Sequence, residues 1–174
     1  RRIHQSILPR TFPEVGDYEV HAMTIPADAV GGDFYDFIML NPDGFGAAIA
    51  DASGHGLLAA LLVRDVYVGL RMGIGGDLKI ARVAERLNRI LNKSRLSTKF
   101  VSLFYGEFEA NGEIIYTNAG HPGPLHLHAR TKSFTEMEST GMVLGPSPNA
   151  PYTRRAVKME PGDVFFMYTD GIVE

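Results

Sequence analysis

The sequence contains no cysteine. That excludes disulfides, thiolate zinc sites and thiol catalysis, and it fits a reducing compartment, so a cytoplasmic location is the expectation. No apolar run approaches the roughly 20 residues that span a bilayer as a helix. The opening RRIHQSILPR has no long apolar core of the kind a secretory signal carries. Neither sign of charge dominates: 17 Lys and Arg stand against 20 Asp and Glu, for a formal net charge of -3. Such a balance gives no electrostatic case for nucleic acid or for an anionic membrane surface. There is no internal repeat and no low-complexity linker. What is there suffices for one domain: 174 residues, 45% of them hydrophobic, can bury a sizeable core. Residues 1–10 read as the end of a linker helix entering from upstream, and 11–174 as the domain itself.

Strand patterns come first along the chain. YEVHAMTI (18–25) alternates loosely, and DFYDFIML (33–40) and FGAAIAD (45–51) flank the turn tetrad NPDG, which predicts a β-hairpin. Leu57 to Met72 reads as a helix, apolar nearly all round and so expected to be buried on most sides. A second helix is predicted over Leu78–Leu96, with Asp77 as its N-cap and Ile80, Val83, Leu87, Ile90 and Leu91 at helical spacing. Strands then resume. KFVSLFYGEFEA places Phe100, Ser102, Phe104, Gly106 and Phe108 on one face, and Asn111-Gly112 turns the chain into EIIYTNAG. PLHLHA and SFTEME form a further pair around RTK, and YTRRAVKME and VFFMYTD flank the turn Pro161-Gly162-Asp163. Hairpin-length connections cannot join parallel strands, so the class is α+β with mainly antiparallel sheet.

Three acidic places share a local form. GGDFYD puts Asp33 and Asp36 at a strand start, IADASGHG puts Asp51 at a strand end, and FFMYTDG puts Asp170 at another strand end. Carboxylates gathered at one sheet edge repel one another unless a cation relieves them. An all-oxygen ligand set favours hard ions such as Mg²⁺ or Mn²⁺. Neighbouring glycines permit positive φ and let backbone carbonyls approach. Against this, Asp before Gly is a routine turn pair. His55 and His121 read as hydrogen-bonding or turn residues rather than ligands, and His126 and His128 show no ligand spacing and receive no role. DASGHG is not a nucleophile elbow, and no Ser-His-Asp set is evident.

AVGGDFYDF, IADASGHGLLAALLV, YTNAGHPGPLHL, GMVLG and PGDVFFMYTDGIVE occur in this order. Together they closely resemble the bacterial SpoIIE/RsbU branch of the PPM metal-dependent serine/threonine phosphatases, from about Leu8 to Glu174. The resemblance implies an α-β-β-α sandwich, two mainly antiparallel sheets packed face to face with helices outside both. It implies two Mn²⁺ or Mg²⁺ ions, with Asp51 bridging them, the Ala52 carbonyl as a ligand, Asp170 holding one ion, and Asp33 binding or orienting the cluster. Asp51 and Asp170 would serve catalysis through a metal-activated water that attacks a phosphoserine or phosphothreonine ester. Asp36, His55 and Gly54 would stand just outside the ligands. The helices at 57–72 and 78–96 would be a regulatory element. The implied substrate is a phosphorylated STAS-domain antagonist of an anti-sigma factor. An upstream sensor or receiver domain, and a homodimer through the N-terminal helix, are implied partners. The alternative is a phosphatase-like binding domain without turnover. The family pattern continues past TDG with a helix and a strand bearing an Asp-Asp-Ile-Thr-like motif. No counterpart occurs through Glu174, so the expectation is a domain lacking that C-terminal helix and strand, with a weakened second metal site.

Overall fold

The computed structural model describes residues 8–25, 31–74, 79–94 and 99–172. The order of elements is β1 (Asp33–Asn41), β2 (Gly44–Ala52), α1 (Leu57–Ile74), α2 (Ile80–Lys93), β3 (Val101–Glu109), β4 (Glu113–Ala119), β5 (Leu125–Leu127), β6 (Phe134–Glu136), β7 (Arg155–Lys158) and β8 (Val164–Phe166), with a 3-10 turn at Asp170–Ile172. One sheet runs β1-β2-β3-β4-β7 and the other β6-β5-β8, and every ladder is antiparallel. The α+β expectation therefore holds.

Two turns explain how the first sheet is built. Asn41 Oδ1 accepts the Asp43 N–H at 2.8 Å, and Asn111 Oδ1 accepts the Glu113 N–H at 2.7 Å. In both, an Asx side chain replaces a backbone partner and reverses the strand. Gly112 follows with φ +89, where a Cβ would stand 2.4 Å from the Met159 carbonyl.

Because side chains alternate, the five-stranded sheet has two apolar faces. Phe34, Ala48, Ala50, Leu103 and Tyr105 join Leu62, Val66 and Leu70 of α1 and Val83 and Leu87 of α2 in the larger core cluster. Phe45, Ala47, Phe108 and Ile114 point the other way, with Phe165 and Met167 packed against them from the second sheet. Phe45 stacks on Phe108 at 5.1 Å, and Phe165 meets Phe108 edge-on at 5.4 Å. Fully burying a Leu or Phe of this kind contributes about 1.5–3 kcal/mol. The face predicted for Ser102, Phe104 and Phe108 is the inter-sheet face.

Buried Asn88 anchors α2 to the GMVLG loop. Its Nδ2 donates to the Ser147 carbonyl at 2.7 Å and its Oδ1 accepts the Gly145 N–H at 2.8 Å. Asn92 donates to the Gly145 carbonyl at 2.7 Å.

The turn expected at 161–163 forms, with the Asp163 N–H donated to the Glu160 carbonyl at 3.0 Å, and leads from β7, paired with β4, to β8, paired with β5. Three expectations change. The segment 18–25 forms no ladder; instead Tyr18 packs edge-on against Phe45 and Phe108 and donates its hydroxyl to the Glu109 carbonyl at 3.0 Å. Helix α1 is buried on one side only: Ala59, Leu62, Val63, Val66 and Leu70 face the sheet, while Leu57, Leu58, Leu61, Val68 and Met72 are exposed. Described helices cover only the five-stranded sheet, and Leu127, Phe134, Val164 and Phe166 of the three-stranded sheet are exposed. The predicted cap Asp77, the ends of the second predicted helix and the linker-helix residues 1–7 lie outside the described residues. No helix among the described residues is long and apolar enough to cross a membrane.

Candidate metal centre

The site forms where β1, β2 and β3 end together. Asp33 stands directly opposite Asp51 in the β1–β2 ladder, and Asp51 opposite Ser102 in the β2–β3 ladder. Directly opposed residues share a face, so two half-buried carboxylates and a hydroxyl line up across three strands. Two contacts hold the strand end in place. The Ala52 N–H donates to the Gly32 carbonyl at 3.1 Å, and the Ser53 N–H donates to the Phe100 carbonyl at 2.9 Å. The Ser53 hydroxyl in turn accepts the Phe100 N–H at 2.9 Å. Gly54 and Gly56 then take φ +86 and +79, left-handed values that carry the chain from strand into α1.

The second sheet delivers Asp170. After β8 the chain passes beside His121, whose Nε2 lies 3.0 Å from the Tyr168 carbonyl, and the Thr169 hydroxyl donates to Asp33 Oδ2 at 2.8 Å. A carbonyl only accepts, so His121 Nε2 carries the hydrogen. Burial pushes the His121 pKa down to about 4 although the Tyr168 carbonyl and the charges of Asp33 and Asp170 oppose the shift, so the ring is neutral at pH 7. Its Nδ1 then accepts from the Ser102 hydroxyl at 2.8 Å. Asn118 fixes the same histidine from both sides, accepting its N–H at 2.8 Å and donating to its carbonyl at 3.1 Å. One buried imidazole thus joins β3, β4 and the segment that carries Asp170.

The donors suit a hard divalent cation. Asp33 and Asp51 come from two strand ends, whereas Asp170, expected at a third, is exposed at the start of the 3-10 turn that follows β8; the charges of both Asp33 and Asp170 act on the His121 ring. A Cβ on Gly32 would stand 2.7 Å from the Ala52 carbonyl and 3.3 Å from Asp51 Oδ1, so only glycine leaves the space beside these two oxygens open. All these atoms are oxygens, which favours Mg²⁺ or Mn²⁺ over thiophilic or imidazole-preferring metals.

The other expected residues fall differently. Asp36 is three residues from Asp33 and so points to the opposite face of β1, where both its carboxylate oxygens accept from Arg71 of α1 at 2.8 Å. It lies outside the site. His55 is exposed on the turn after Ser53. Gly54 is at the mouth, and a Cβ there would come within 2.6 Å of Lys99 Nζ. Sequence reasoning passed over Ser102, Thr169, Asn118 and Lys99. Ser102 alone carried a signal, a polar residue in an otherwise apolar row.

Residues 41–174 match the family described as Stage II sporulation protein E (SpoIIE). Among curated proteins, the phosphoserine phosphatase RsbU of Bacillus subtilis is 25% identical, over 99% of this chain and 51% of that protein. Protein IcfG of Synechocystis is 29% identical, over 100% of this chain and 32% of its own length. The chain therefore spans about half, or less, of the curated relatives it matches. Among solved structures, the RsbU and RsbW domains of a Mycobacterium tuberculosis protein align with TM-score 0.71 at 29% identity, covering 86% of this chain and 42% of that one. The PP2C phosphatase domain of SpoIIE from Bacillus subtilis aligns with TM-score 0.72 at 17% identity, covering 83% of this chain and 42% of that one, which shows a common fold. With more than half of its residues matched in one block and the two-sheet architecture shared, the chain belongs to the SpoIIE family.

Proposed function

We propose that the chain is the catalytic part of a metal-dependent protein phosphatase that hydrolyses phosphoserine or phosphothreonine. Two Mn²⁺ or Mg²⁺ ions are the cofactors, held by Asp33, Asp51, the Ala52 carbonyl and Asp170. The observation that carries this reading is the Asp33–Asp51 cross-strand pair, met by the Asp170 segment around neutral His121. Bound ions of this kind lower the pKa of water and neutralise charge on phosphoryl oxygens. The chain's own residues do the positioning. Thr169 ties the Asp170 segment to Asp33, and Ser102 and His121 hold the two sheets at one spacing. Gly32 keeps the Ala52 carbonyl accessible.

RsbU and RsbP of Bacillus subtilis are named phosphoserine phosphatases, which supports a phosphorylated serine as the substrate group. The proposed substrate is a phosphorylated STAS-domain antagonist of an anti-sigma factor. The proposed location is cytoplasmic, downstream of a sensor or receiver domain and with dimerisation through the N-terminal helix.

The test is phosphate release from a serine-phosphorylated STAS-domain protein with Mn²⁺ present. Loss of a second-sphere partner already costs about 10–100-fold in metal affinity or activity, so Asp51→Asn should cost more than about 100-fold. Undiminished turnover by Asp51→Asn would defeat the proposal, and a non-catalytic binding domain would retain substrate without releasing phosphate.

A further inference from the structure

The second sheet brings together two histidines and an aspartate at the end of β8 opposite the segment that leads to Asp170. His126 and His128 are two apart on β5 and its exit, so they share a face, and Asp163 stands just before β8, the neighbouring strand. One ligand atom from each of the three lies within 4.8 Å of the other two. His126 Nε2 is 2.8 Å from Asp163 Oδ2, and His128 Nδ1 is 3.9 Å from the same oxygen. His126 and Asp163 expose only 3% and 4% of their side chains, whereas His128 exposes 33%, so the cluster is buried on one side and open on the other.

We propose that His126, His128 and Asp163 form a separate site for one late first-row divalent cation of the Zn²⁺ class. First, the spacing fits. Tetrahedral zinc with bonds of about 2.0–2.2 Å puts its ligands about 3.3 Å apart, and the 2.8 and 3.9 Å separations lie on either side of that value. The ion would take the place of the proton now shared between His126 and Asp163.

Second, both partners are already oriented. His128 Nε2 is 2.9 Å from the Thr135 hydroxyl, which leaves Nδ1 as the nitrogen turned toward Asp163. Metal-ligating histidines commonly engage their other nitrogen in this way. Asp163 is fixed by backbone, with Oδ1 accepting the Ala129 N–H at 2.8 Å and Oδ2 accepting the Glu160 N–H at 3.0 Å. His128 itself is pinned by its N–H to the Ser133 carbonyl at 2.8 Å, and its carbonyl accepts the Lys132 N–H at 2.9 Å.

Third, the ligand types separate this site from the carboxylate centre. Two imidazoles and one carboxylate favour Zn²⁺, Co²⁺ or Ni²⁺ and discriminate against Mg²⁺. Bound there, the ion fastens the β5–β6 hairpin to the start of β8. Solvent supplies a fourth ligand on the side open past His128.

The experiment uses the full chain carrying Asp51→Asn, freed of metal with a chelator, so that the carboxylate centre does not compete. Titration with Co²⁺, read by the visible bands of tetrahedral cobalt, and with Zn²⁺, read by calorimetry, should each give one site. His128→Gln, at a half-exposed position, should abolish the cobalt bands and weaken Zn²⁺ by more than about tenfold. Thr135→Val, on an exposed strand, should weaken it about tenfold. Excess Mg²⁺ should not displace either ion. A folded protein that takes up no Zn²⁺, or one whose Zn²⁺ affinity is unchanged by both His128→Gln and Thr135→Val, would overturn the proposal and leave the cluster as a hydrogen-bonded turn.

Discussion

Residue by residue, the site is organised by a buried, neutral histidine that donates from Nε2 and accepts at Nδ1. The His121 ring sits at about 4 because burial disfavours its charged form, against the pull of the Tyr168 carbonyl and of the Asp33 and Asp170 charges. Unfolded, it returns to its ordinary value of 6.5. Between these values the unfolded chain binds the extra proton, so stability falls as pH falls. The contribution is complete above pH 6.5 and is lost as pH drops to about 4. Each pKa unit is worth about 1.4 kcal/mol, so the loss for metal-free protein approaches about 3 kcal/mol. Urea midpoints measured across this range should show it, and His121→Asn should flatten the slope. An unchanged slope would mean that the ring is not buried neutral.

Asp36 illustrates a second residue-scale distinction. Its spacing from Asp33 is odd, so the pleat sends it to the helix face, where it anchors Arg71. Asp36→Asn should lower stability by about 2 kcal/mol through the lost charged hydrogen bonds and leave Mn²⁺ affinity as it was. Thermal melts and metal titration of the same variant read the two effects separately.

Among elements, α1 shows what composition conceals. The run LLAALLVRDVYVGLRMGI looks uniformly apolar, yet only the stripe Ala59, Leu62, Val63, Val66 and Leu70 meets the sheet. Leu62 is 2% exposed and its neighbour Leu61 is 41% exposed. Leu62→Ala should therefore cost about 2–5 kcal/mol in denaturation experiments, while Leu61→Ala stays below about 1 kcal/mol. Comparable losses at both positions would mean that α1 is buried all round after all. The hairpins around NPDG and Asn111-Gly112 were legible because Asx chemistry and alternation agree there. The partnership of β7 and β8 was not. A tight turn at 161–163 is equally compatible with a hairpin and with a crossing between sheets, and only the pairing of β4 and β5 with these strands decides. Tyr18 to Ile25 alternates like a strand but is held through side chains, with the Tyr18 ring and hydroxyl making the tertiary contacts.

At the scale of the whole molecule, the two sheets pack through apolar clusters between them, and different polar groups gather at different places on the sheets. The position of Asp33 and Asp51 at strand ends was legible, since acids beside glycines there are a local pattern, whereas Asp170 lies on the 3-10 turn beyond β8. The His126, His128 and Asp163 cluster was not, because its members are separated by one residue on β5 and then by 35 positions to Asp163, and only strand pairing joins them. The network of Ser102, His121 and Tyr168 was hidden for the same reason: each bond crosses between elements.

The central claim is that Asp33 and Asp51, paired across β1 and β2, hold a hard divalent ion. Mn²⁺ binding to metal-free protein, followed by the loss of the free-ion electron paramagnetic resonance signal, tests it most directly. Parent protein should bind Mn²⁺, Asp33→Asn should bind it more weakly, and Asp51→Asn should lose more than about 100-fold in affinity. Parent-like Mn²⁺ affinity in Asp51→Asn would contradict the claim.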